Sequence, residues 1–403
     1  MVLDLSTQEY YKDPYAVYAR VRKQAAITPV DSLGKTVFVS RYDDVMTVLK
    51  DPRFSNERHK ADSAVKVMDS WWMPSIFKAL LNSMVMIDDP DHARLRNLVH
   101  KAFTPRMIQQ MALRVEEICN QLLDEASKSK KETVDLIEAL ALPLPLTVIS
   151  EMMGVPEKDR HKFHQWTGRF AESAGSGHVM DMLPQIPNAF LMNRFFRQLI
   201  ALRRRYPQDD LITALVRAEE SGDTLNEDEL TAMLFLLLLA GHETTVNLVG
   251  SGTFALLEHP DQLAKLKANP ELLDSAIEEM LRFTNPVQQV APRFALEDVE
   301  LDGQVIRKGT MVMAGIASAN RDESVFENAD QFDITRNPNR HVAFGLGIHY
   351  CLGAPLARLE AKFAFQILLS RFPNFELAVP VDQLQWRPSM LRGLKSLPVH
   401  LNA

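Results

Sequence analysis

Two cysteines in 403 residues, Cys119 and Cys351, leave no material for a disulfide framework, and Cys119 falls in the apolar stripe of a helical segment. The start, Met1-Val2-Leu3-Asp4-Leu5-Ser6, lacks the basic residues and apolar stretch of a secretory leader. No apolar run approaches the roughly 20 residues that cross a bilayer; the longest is Ala232 to Gly241. Basic residues are in deficit, 45 against 52 acidic for a net charge of −7, which disfavours a general nucleic-acid role. Internal repeats, low-complexity tracts and proline-rich linkers are also missing. These absences point to a cytoplasmic protein with no membrane or nucleic-acid partner. Hydrophobic residues at 46% and charged residues at 24% suit a chain that buries a large core. Length alone permits several domains or one large one.

Helical patterns dominate what is there. Asp13-Pro14 opens a helix as cap and first-turn proline, and further helical patterns cover 43–49, 90–103, 105–127, 136–153, 156–170, 187–206, 274–282 and 354–372. A very long helix is predicted from Asn226, which pairs with Glu229 as a capping box, to about Glu258, some 50 Å at 1.5 Å per residue. Strand signals are confined to 36–40, 287–290, 299–301, 305–306, 311–313, 375–377 and 397–401. Residues 55–85 are irregular and carry Trp71, Trp72, Met73 and Phe77, which suggests a stretch that lines something. Residues 171–186, with Gly175-Ser176-Gly177, interrupt two helical patterns. The expected fold class is mainly α with a small β-rich part (α+β), a single domain over 1–403 whose sheet region comes from about 30–55, 287–315 and 374–403.

One loop stands out. Phe344-Gly345-Leu346-Gly347-Ile348-His349-Tyr350-Cys351-Leu352-Gly353 sets a thiol among glycines just before a helix. Glycine admits positive φ and close backbone approach, so the loop is expected to fold tightly about the sulfur. A helix N-terminus favours thiolate over thiol, which makes Cys351 a candidate metal ligand of the kind that holds a haem iron. A dinucleotide-binding reading fails because Tyr350 stands where the third glycine belongs.

Within the long helix, Ala240-Gly241-His242-Glu243-Thr244-Thr245 follows the apolar run with small residues, an acid and an alcohol. Small residues let a ligand approach, and Thr244 can bond the Ala240 carbonyl one turn back, opening the helix locally. A zinc-protease reading of His242-Glu243 fails, since the second histidine is replaced by Val246. Glu279-Met280-Leu281-Arg282 places a carboxylate and a guanidinium one turn apart, where they can pair. His92 and Arg96, four apart, share a helix face.

These motifs resemble those of the cytochrome P450 family. The loop matches its cysteine-ligand signature, Phe-x-x-Gly-x-x-x-Cys-x-Gly, at Phe344, Gly347, Cys351 and Gly353, with Gly345 beside them. The resemblance runs from Asp13-Pro14 to Arg392-Gly393-Leu394 and is closest to soluble bacterial members acting on polyketide-like molecules; Glu323 departs from the proline many relatives carry there. It implies haem b with the Cys351 thiolate as axial ligand. It further implies Glu243 and Thr244 as the acid and alcohol that deliver protons while the O–O bond of O2 breaks heterolytically. Glu279, Arg282 and Arg336 would form a structural trio, and His92, Arg96, Arg293 and His349 would bind the haem propionates. The substrate pocket would be lined by Trp72, Val85, Leu236, Ala240, Val287, Gln288, Val290, Met390 and Leu391, with Gln288 or Gln289 orienting an oxygen.

Such apolar walls suit a polyketide, macrolide, statin-like lactone or steroid, with fatty acids as the alternative. Electrons from NAD(P)H would arrive through a separate ferredoxin or flavodoxin and its reductase, docking on a basic patch drawn from Arg94, Lys101, Arg106, Arg358 and Lys362. A monomer is expected. The rival classes are a peroxygenase or isomerase needing no external electrons, and a haem sensor or helical scaffold without enzymatic activity.

Overall fold

A computed structural model describes residues 2–31, 35–61, 83–128, 132–163, 165–166, 186–220, 226–389 and 391–402. Its centre is the helix Glu227–Glu258, whose Asn226 side chain accepts from the Glu229 N–H while the Glu229 carboxylate accepts from the Asn226 N–H. By length and composition this helix could cross a membrane, yet 67% of its apolar window is buried inside the protein. It is a core helix, apolar on most sides because other helices surround it. Packed against it are Pro143–Met152, Ile186–Arg205, Leu273–Thr284 and Ala354–Arg371, and the last of these lies along Pro105–Lys128. Leu234, Phe235 and Leu238 sit in the main apolar core.

The β structure is small and built from distant segments. One sheet orders β1 (Ile27–Pro29), β2 (Thr36–Val39), β8 (Met311–Ala314), β5 (Arg293–Ala295) and β3 (Phe54–Ser55), all antiparallel except the β2–β8 pair. Strands β6 (Val299–Leu301) and β7 (Gln304–Ile306) form a hairpin. The predicted closing pair, β9 (Glu376–Leu377) and β10 (Pro398–His400), gains β4 (Val134–Asp135) as a third strand.

Several expectations need correction. The helix read over 136–153 is interrupted: a π-helical turn Ile137–Ala141 follows β4, and an α-helix starts at Pro143, whose missing N–H suits a first turn. Val287 to Val290 is not a strand: apart from an isolated bridge between Val287 and Leu391 it is a connector, and the strand begins after Pro292 at Arg293. Helices Leu211–Glu220 and Pro260–Ala268 were not anticipated. The segment 171–186, except Ile186, lies outside the described residues, as do Trp71, Trp72, Met73, Phe77 and Met390.

Candidate active site

The cysteine loop is held by its backbone. Gly345 and Gly347 take φ of 68° and 70°, and a Cβ on Gly347 would come within 2.8 Å of the Leu49 carbonyl oxygen, so only glycine fits there. The Cys351 N–H donates to the Phe344 carbonyl at 2.9 Å, and Arg96 Nη2 donates to the Tyr350 carbonyl at 2.7 Å. Cys351 keeps exposed area, yet protein crowds the sulfur enough that desolvation pushes its pKa up. The N–H groups of Gly353 and Ala354 and the charges of Arg96 and Arg358 oppose this without overcoming it. The N–H groups at the helix start thus favour the thiolate, in the direction expected, while burial works against it.

Two ion-pair networks brace the loop. In the first, Glu279 and Arg282 are both fully buried and paired through two contacts of 2.8 Å. Arg336 Nε reaches Glu279 at 3.2 Å, Asn339 Nδ2 at 3.1 Å and the Asp333 N–H at 2.9 Å. Arg282 also donates to the carbonyls of Asn320, Ala329 and Gln331. The alternative of an exposed i,i+3 pair is excluded by this geometry. In the second, which sequence reasoning missed, Glu278 accepts from Arg358 at 2.6 Å and 2.8 Å and faces His341 Nε2 at 2.9 Å. Burial raises the Glu278 pKa, but Arg358 and His341 outweigh it and hold the carboxyl at about 2. Arg358 stacks 4.5 Å over Phe344, so this network grips the chain on both sides of Cys351.

Near the loop lie buried nitrogens without partners: His92 Nε2, His349 Nε2 and Arg293 Nε. The two imidazoles are 4.4 Å apart, and His92 Nδ1 faces Asp89 at 3.2 Å. Burial, then the charges of Arg293 and His92, push His349 down to about 3; burial brings Arg293 down to about 10. Unmatched buried donors are costly in isolation and fit an anionic group such as a carboxylate. With Arg96 they gather, beside the cysteine, the side chains singled out for haem propionates.

On the long helix, Leu236, Leu237, Leu239, Ala240, Gly241 and Thr244 keep accessible area, and Leu236, Ala240 and Thr244 share one face at a four-residue spacing, whereas His242, Glu243 and Thr245 are buried. Thr244 Oγ1 donates to the Ala240 carbonyl at 2.8 Å as expected, but the α-helix continues unbroken through it. Glu243 points elsewhere, toward Arg387 at 3.7 Å.

Glu360 is a second missed acid. It sits four residues after Leu356 on the apolar face of its helix, a signal that could have revealed it. Burial raises its pKa to about 8 despite a hydrogen bond with Thr245, and Oε2 has no partner. The native state thus binds a proton that the unfolded chain releases above about pH 4.5, so stability falls as pH rises from 4.5 toward 8. Glu360→Gln is expected to flatten this dependence and stabilise the protein at pH 8 by several kcal/mol, at about 1.4 kcal/mol per pKa unit. Unfolding midpoints of both forms at pH 5 and 8 check it.

Of the pocket residues, Leu236, Val85, Val287, Val290 and Leu391 are partly accessible. Gln288 is buried, with its amide N–H donating to the Asn285 carbonyl at 2.8 Å, which makes it a brace for the connector. The basic patch is also reduced. Arg94 pairs with Glu229 at 2.7 Å, Arg358 with Glu278, and Lys362 with Asp274 at 2.8 Å, while Lys101 and Arg106 are exposed.

The Cytochrome P450 family model matches residues 31–391. The chain is 45% identical to the polyketide biosynthesis cytochrome P450 PksS of Bacillus subtilis (strain 168), over 98% of this chain and 97% of that one. It is 42% identical to the cytochrome P450 monooxygenase PikC of Streptomyces venezuelae, covering 99% and 94% respectively. The solved structure of the Bacillus subtilis 168 bacillaene polyketide synthase cytochrome P450 PksS superposes with a TM-score of 0.89 at 44% identity, covering 99% of each chain.

Proposed function

The chain belongs to the cytochrome P450 family of oxidoreductases, and from that premise we propose that it is a haem-thiolate monooxygenase inserting one atom of O2 into a C–H bond of a bulky lipophilic molecule. The observation that carries this reading is the meeting of Cys351 with the unpartnered nitrogens of His92, His349 and Arg293. Haem, when bound, supplies the iron at which dioxygen is reduced and split. Cys351 is its thiolate ligand, with Arg96 and the N–H groups of Gly353 and Ala354 sharing the sulfur's charge. His92, Arg96, Arg293 and His349 hold the propionates. Thr244 donates its hydroxyl proton to Ala240 and so offers lone pairs to the accessible side, where it orients a donor. Glu243 is the acid that carries protons inward.

The substrate is a polyketide, macrolide, statin-like lactone or steroid. The apolar side chains of Leu236, Val287, Val290 and Leu391 support this, as does the likeness to relatives named for polyketide biosynthesis. A ferredoxin or flavodoxin supplies electrons. It docks by a groove between Pro105–Lys128, Leu273–Thr284 and Ala354–Arg371, lined by Ile108, Ala112, Ile277 and Leu359, with the exposed Arg106 on one of its helices.

Titration of the holoprotein with macrolides, statin lactones, steroids and fatty acids, read as the haem spin-state shift, tests the substrate class. A response confined to fatty acids overturns it. Thr244→Ala is expected to keep consuming NAD(P)H while product falls roughly tenfold or more and hydrogen peroxide rises. Unchanged coupling removes Thr244 from the mechanism.

A further inference from the structure

We propose that the outer face of the helix Ile186–Arg205 docks an acidic helical protein, a second partner distinct from the electron donor.

This helix contains five arginines and no aspartate or glutamate, in a chain whose net charge is −7. Its inner face is ordinary. Ala189, Met192, Phe196, Leu199 and Ile200 are buried, and Phe196 packs edge-on to Phe235 of the long helix at 5.2 Å. The outer face departs from the polar surface that a half-buried helix normally shows to water. Phe190, Leu191, Leu202 and, just past the last turn, Tyr206 are all exposed, Phe190 at 70% and Tyr206 at 61%. A single exposed apolar residue needs no explanation, but four along one helix form a patch.

At about 100° per residue, Phe190, Leu191, Arg194, Ala201, Leu202 and Arg205 fall within an arc of about 120°. Arg194, Ala201 and Arg205 run down the middle of this stripe, with Phe190 on one edge and Leu191 and Leu202 on the other. Elsewhere on the helix, Arg197 is committed to Glu227 and Asp228, and buried Arg203 to Asp210 and the Gly154 carbonyl. Arg194 and Arg205 are exposed and form no ion pair with another described residue. The stripe thus offers two uncommitted guanidiniums between apolar side chains, and Ala201 leaves room for a second helix to come close. Its complement is a helix with acids along its centre and apolar residues beside them.

Other occupants fit less well. A second copy brings the same acid-free helix, so an isologous contact gathers guanidiniums with no carboxylate to neutralise them. A helix lying in a lipid surface keeps its cations on the face away from the apolar one, whereas here they occupy the centre of the stripe. The groove proposed for the electron donor has no residue of this helix in its lining. A partner on the stripe sits one helix, about 10 Å, from the long helix that carries Leu236.

The test is titration of a fluorescently labelled acyl carrier protein, a small protein of acidic helices, with the haem-loaded enzyme at low salt, read as anisotropy. Binding is expected with a Kd below about 1 mM. Arg194→Glu/Arg205→Glu should weaken it about tenfold or more, and Phe190→Ser/Leu202→Ser about threefold or more, while Arg106→Glu stays within about twofold. Both double variants replace exposed side chains, so each should keep the parent's haem spectrum and melting temperature. No binding, or binding that both double variants keep, overturns the proposal. So does a dimer in sedimentation, or capture of the enzyme by phosphatidylglycerol vesicles, that the arginine variant abolishes. Electron transfer from a surrogate ferredoxin that the arginine variant slows more than Arg106→Glu does also overturns it, since the stripe would then belong to the electron donor.

Discussion

Cys351→Ala is expected to abolish oxygenation while leaving the protein folded. Cys351 keeps exposed area, and its loop is held without its side chain: by the Cys351 N–H to the Phe344 carbonyl, the Arg96 bond to the Tyr350 carbonyl, and Gly347 pressed on the Leu49 carbonyl. None of these contacts uses Sγ. The variant should therefore melt within about 1 kcal/mol of the parent, in the range of substitutions that leave no cavity and no unsatisfied polar group. Reduced under carbon monoxide, the haem-loaded parent should show the red-shifted Soret absorption of thiolate ligation, and the variant should not. A variant that kept that spectrum would end the assignment of Cys351 as ligand, whatever its activity.

Arg282→Leu should have the opposite profile, removing the fold rather than the chemistry. Arg282 neutralises Glu279 and also satisfies the carbonyls of Asn320, Ala329 and Gln331, all from a fully buried position. Removing one partner of a buried pair costs about 3–5 kcal/mol. Each carbonyl left without a donor adds about 1–3 kcal/mol. Set against a total stability of about 5–15 kcal/mol, the sum leaves little or no folded protein. Arg282→Lys keeps the charge but cannot reproduce a planar fork reaching a carboxylate and separate carbonyls at once, so it too should fold poorly. Soluble yield and denaturant midpoints measure both; a variant within about 1 kcal/mol of the parent would show that the network is dispensable.

The contrast between these residues explains what could be read early. The cysteine loop and the Glu243-Thr244 pair are local patterns, in which residue type and spacing over a few positions already define the chemistry. The long helix was equally legible, because its capping box and apolar run lie in consecutive residues. Glu360 left a trace as a charge on an apolar helix face. Arg387 left none: the acid it faces lies 144 positions away in the chain, and an isolated arginine in a loop reads as a solvated charge. The ion pairing of the basic patch was illegible for the same reason, since Arg94, Arg358 and Lys362 carry their acidic partners on other helices. Val287 to Val290 looked like a strand because valines flank it, but buried Gln288 bonds the Asn285 carbonyl and its own carbonyl accepts from Ala317, which leaves no ladder to join.

From its order of residues alone, the chain was committed to a helical body around one long helix, to a glycine-bound thiol, and to an acid and alcohol midway along that helix. Spacing within a helix or a loop is a short-range property, and short-range geometry follows from residue type. Tertiary structure decided which charges are neutralised, which face of the long helix stays accessible, and which arginine meets Glu243. Those outcomes depend on segments brought together from opposite ends of the chain, as when β2 pairs with β8 and the C-terminal segment lies against Asn247. Ionisation, too, was settled only there, because desolvation and charge at a sulfur or a carboxyl are sums over every neighbour the fold supplies.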